Sequence, residues 1–127
     1  MKKTKFVAQV QAAGELSSAK EAERWSKAVL IALIDLAPDS ETRRQFITQL
    51  PGFLKMPLLA EAPRDLLMDH ETLLQRIGAV LEAHASEAER ALTCVWSVLR
   101  KAISAGEIAD FQARVPKDVG SYLARLA

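Results

Sequence analysis

The chain has 127 residues, 50% of them apolar and 26% charged, with 17 Lys and Arg against 16 Asp and Glu for a formal charge of +1. This composition fits one soluble globular domain, roughly 6,700 Å² of surface folded against roughly 20,000 Å² unfolded, and disfavours a disordered or membrane-spanning chain. It also lacks the basic excess with which a nucleic-acid binder neutralises phosphates, so nucleic acid is not an expected partner.

The chain is rich in Ala and Leu, contains no Asn, and keeps Pro38, Pro51, Pro57, Pro63 and Pro116 at the edges of apolar segments. Good helix formers broken at prolines predict an all-α fold. Lys2, Lys3 and Lys5 precede Phe6-Val7-Ala8, but Gln9 and Gln11 interrupt the apolar run a signal peptide needs. Three lysines also fall short of a polybasic membrane anchor and read as a solvated terminus. An amphipathic segment near residues 4–13 is followed by Ser18-Ala19-Lys20-Glu21, a capping box that opens a long helix. Trp25, Val29, Ala32, Leu33 and Leu36 form its stripe, and Leu30, Ile31 and Ile34 widen it until little polar surface remains, which marks a central helix. Its longest apolar run, Ala28 to Ile34, is far shorter than the roughly 18 residues a membrane span requires.

Further segments are expected near 40–50, with Arg43-Arg44 as exposed helix arginines, and near 53–59. The latter carries Phe53, Leu54, Met56, Leu58 and Leu59, which suit either packing between two halves or an apolar interaction patch. Pro57 to Asp69 reads as the junction between halves. A segment near 70–83 starts beside Asp69-His70, and Ser86-Glu87-Ala88-Glu89 repeats the capping-box pattern. The long helix it opens has the stripe Ala91, Leu92, Val95, Trp96, Val98, Leu99, Ala102 and Ile103. Gly106 reads as a left-handed stop after that helix, and Pro116 as the first residue of the last of two further segments, near 107–114 and 117–126.

Glu21-Ala22-Glu23-Arg24 recurs as Glu87-Ala88-Glu89-Arg90, and Val29 and Leu33 are matched by Val95 and Leu99. After a one-residue deletion Phe46 aligns with Phe111, and Gln49-Leu50-Pro51 with Arg114-Val115-Pro116, while upstream Phe6 and Val10 align with Leu73 and Ile77. Matched positions kept in order along both halves point to a duplication. The expected fold is a single compact helical bundle over residues 1–127, built from two tandem multi-helix repeats, about 1–60 and about 64–127. Halves of this size bury surface poorly alone, so they should share one core.

The segments Ala28-Val29-Leu30-Ile31-Ala32-Leu33, Gln49-Leu50-Pro51 and Ile103 to Pro116 resemble the bacterial family called domain of unknown function 2267, over nearly the whole chain. The most specific part is the I-x-x-G-E-x-x-D stretch at Ile103, Gly106, Glu107 and Asp110, followed by Val115-Pro116. The resemblance implies a small all-helical bacterial protein and supplies no reaction and no catalytic residues. The first half departs from the pattern, with Glu41-Thr42 where Gly106-Glu107 stand in the second.

Glu107 and Asp110 share a helix face, a spacing that can present paired carboxylates to a ligand, although acidic residues in a helix's first turn are favoured by the macrodipole alone. His70 and His84, fourteen apart, would lie about 21 Å from each other along one helix and cannot chelate a metal together. Each reads as structural, His84 near the end of its segment. Cys94 lies inside the second long helix at the position matching Ala28, where a buried thiol is inert. With a single cysteine there is no internal disulfide, which suits a reducing, cytoplasmic compartment.

No phosphate-binding glycine loop, G-x-S-x-G elbow or H-E-x-x-H pair is present. The expected function is therefore a non-enzymatic interaction module that binds a protein partner or a second copy of itself through Phe53, Met56, Leu58 and Leu59. No catalytic residue, metal or cofactor is assigned. The alternative is a small-molecule, metal-dependent or enzymatic activity in a cleft between the repeats, lined by Glu107 and Asp110.

Overall fold

The computed structural model describes residues 1–37, 39–50, 52 and 69–126. Within them the chain forms seven α-helices and no strand: α1 Lys3–Gly14, α2 Ala19–Ile34, α3 Ser40–Thr48, α4 His70–Leu81, α5 Ala85–Ala102, α6 Ala105–Arg114 and α7 Lys117–Arg125. The expected all-α fold is what the chain adopts. Phe53, Met56, Leu58 and Leu59 lie outside the described residues.

Side-chain caps fix most helix starts by accepting an otherwise orphaned backbone N–H. Ser18 accepts from the Glu21 amide at 3.2 Å, Asp39 from Thr42 at 2.7 Å, Asp69 from Thr72 at 2.8 Å and Ser104 from Glu107 at 3.3 Å. Four expectations are corrected here. Ser86 does not open α5, because the helix begins at Ala85, with His84 at its cap and no side-chain bond there. The His70 segment ends at Leu81, which moves His84 from the end of one helix to the start of the next. Gly106 is not a left-handed stop: no glycine among the described residues has positive φ, and Gly106 lies in the first turn of α6 behind the Ser104 cap. Pro116 caps α7 from outside instead of being its first residue.

Helices α1 and α4 end alike, with Glu15 (φ 53°, ψ 42°) and Glu82 (φ 53°, ψ 48°) both left-handed. That conformation costs a residue with a Cβ roughly 1–2 kcal/mol, offset here by turn bonds from Leu16 N to the Gln11 carbonyl and from Ala83 N to the Gly78 carbonyl, each 2.9 Å. The starts of α1 and α4, of α2 and α5, and of α3 and α6 fall 67, 66 and 65 residues apart, in step with the offsets of the matched sequence pairs.

The long helices α2 and α5 touch each other at the centre, α1 and α4 each lie against both of them, α3 packs on α6, and α7 on α6 and α4. Trp25, Trp96, Phe6, Phe46 and Phe111 are among the fully buried side chains. Phe46 and Phe111, the pair matched by sequence, stack on each other at 4.2 Å between ring centroids. Arg24 donates to the Leu81 carbonyl at the end of α4 at 2.9 Å, and Arg90 donates to the Gly14 carbonyl at the end of α1. Each matched arginine thus closes the C-terminal turn of a helix in the other half. Cationic donors suit the negative end of the helix dipole.

Candidate functional site

Polar groups converge where α4, α5 and α7 meet. Asp118, in the first turn of α7, accepts from the backbone N–H of His70 at 2.9 Å, and its Oδ2 lies 2.7 Å from His70 Nδ1. The His70 ring stacks on Tyr122 at 4.4 Å, and the Tyr122 hydroxyl donates to Glu89 Oε2 on α5 at 2.6 Å. The backbone N–H of His70, then its ring, hold the Asp118 carboxyl below the usual aspartate range. Thr72 does the same for Asp69 through its backbone N–H and then its hydroxyl. Burial, then the Glu89 carboxylate, push the Tyr122 phenol well above its ordinary value. This arrangement ties the last helix to the start of α4 and fixes the imidazole. Sequence reasoning placed His70 at a helix start but missed Asp118, Tyr122 and Glu89, whose separations of 48 and 33 residues leave no local signature.

Beyond this cluster, at the α4–α5 turn, lies an open groove of about 410 Å³ lined by Leu74, Gln75, Gly78, Ala79, Glu82, Ala83, His84 and Ala85. Small side chains make it. A Cβ on Gly78 would stand 2.9 Å from the Ala83 carbonyl oxygen and 3.8 Å from the Ala88 methyl, so glycine is what lets the turn fold back onto α4. The floor is apolar. Glu82, the left-handed residue after α4, is the carboxylate in the wall, and Gln75 and Gly78 come from α4 itself. Among the described residues, no Lys or Arg lines the groove. A second depression of about 340 Å³, between the end of α5, α6 and α7, is lined by Arg100, Ala105, Ile108, Ala109, Gln112 and Ala124.

Glu107 and Asp110 both face the seam between α3 and α6, with Thr42, Gln45, Phe46, Phe111 and Arg114. The space they enclose is about 10 Å³, room for about one water. Arg114 donates there to the Thr42 hydroxyl at 3.0 Å. Asp110 is exposed, and Glu107 sits in the first turn of α6, where the macrodipole favours a carboxylate.

His84 is an exposed wall residue of the groove, three residues past the end of α4 and at the cap of α5. Cys94 is buried, and burial raises its thiol above the ordinary range. Arg43 is buried, in contrast to the expected exposed pair, while Arg44 is exposed. Lys3 pairs with Glu23 at 3.0 Å and stays exposed. Among the described residues, no three His, Cys, Asp or Glu side chains are placed to hold a metal ion, and no helix is long and apolar enough to cross a membrane.

The family described as "Uncharacterized conserved protein (DUF2267)" matches residues 3–122. The chain belongs to that family. Compared with curated proteins, the sequence matches none.

Proposed function

We propose that this DUF2267 member is a non-enzymatic helical interaction module, built by duplication of a three-helix unit, that binds a protein partner or a second copy of itself in the cytoplasm. The observation that carries the reading is the open groove of about 410 Å³ at the α4–α5 turn, whose walls are mostly Leu74, Gly78, Ala79, Ala83 and Ala85. A shallow, solvent-open surface with small apolar residues suits a partner side chain better than an enclosed substrate. The apolar residues Phe53, Met56, Leu58 and Leu59 of the junction add to the reading from sequence.

The test is native mass spectrometry of the full chain purified gently, with sedimentation over a range of concentrations. A dimer or a stoichiometric protein complex supports the module. A bare monomer at every concentration, or a small-mass adduct lost on denaturation, overturns it.

A further inference from the structure

We draw no further inference here: the strongest candidate, the depression of about 340 Å³ between the end of α5, α6 and α7, carries nothing because Arg100, the one charged side chain in its lining among the described residues, already donates to the Leu126 carbonyl at 3.3 Å, and nothing in the structure shows what covers the apolar floor beside it.

Discussion

Truncating Phe111 tests whether the two halves share one core. The ring is 2% exposed, stacks on Phe46 at 4.2 Å and lies 6.3 Å from the Trp96 ring, so the site is walled by rigid aromatic groups that cannot collapse into the space. Phe111→Ala should cost about 3–5 kcal/mol, of which about 0.5–1.5 belongs to the ring pair. For a chain of this length that lowers Tm by roughly 10–20 °C. Phe46→Ala, across the α3–α6 seam, should cost a similar amount, and the double variant should fall short of the sum by about the pair's share. The assay is differential scanning calorimetry alongside circular dichroism at 222 nm and in the near ultraviolet. With one shared core, each variant unfolds in a single transition whose calorimetric and van't Hoff enthalpies agree. Two resolved transitions, only one of which moves with Phe111→Ala, would refute the shared core.

Other expectations follow from the caps, the polar cluster and the glycines. Because the folded Asp118 and Asp69 carboxyls lie below their unfolded values, their contribution is present above about pH 4. It is lost as pH falls through the folded values, so Asp118→Asn should flatten the acid limb of a Tm-against-pH curve, and an unchanged limb would count against the His70 contact. Tyr122 is the one tyrosine, and its raised pKa means that folding resists its ionisation. Its contribution is intact below the unfolded value near pH 10 and is lost on rising toward the folded value. Phenolate absorbance should appear together with alkaline unfolding, and earlier in Glu89→Gln. The buried Cys94 thiol should react with a thiol-specific disulfide reagent only as fast as the chain opens, so rapid labelling of native protein would contradict its placement. Gly14→Ala sets a Cβ 2.9 Å from Trp25 Cζ3 and should cost about 1–3 kcal/mol, whereas Gly106→Ala, with nothing within 4 Å, should gain about 0.4–1 kcal/mol; both are read from chemical melts.

Helix positions were legible because their signals are local. Apolar spacing located α2 and α5, and Ser18 announced its helix through a residue three positions away. The same pattern misled at Ser86, where the box is present but the turn after Glu82 delivers the chain to the helix two residues sooner. Gly106 misled for a related reason. A glycine after an apolar helix signals a stop, yet Ile103 and Ser104 already make the break in extended conformation, leaving Gly106 free to be helical. The polar cluster was illegible, since His70 and Asp118 meet only once α7 has folded back across α4. The groove was illegible for another reason: its lining of Gly, Ala and Gln carries no chemistry in a sequence, and its shape exists only through what those side chains omit.

The repeated Glu-Ala-Glu-Arg segment shows how an internal comparison can separate scaffold from surface. The matched Arg24 and Arg90 do the same mechanical work, each closing a helix end in the other half, whereas the matched Glu23 and Glu89 differ, one pairing with Lys3 and Lys27 and the other accepting from Tyr122. Where the residue types differ, the difference is absorbed. At Gly14 the missing side chain is absorbed, because the Trp25 indole occupies the space, while the matched pair Leu81 and Ala91 places the bulk on the opposite partner. At Ala83, matched to Leu16, the smaller side chain accompanies the buried Leu81, which stands where Gly14 leaves room for Leu16 in the first half.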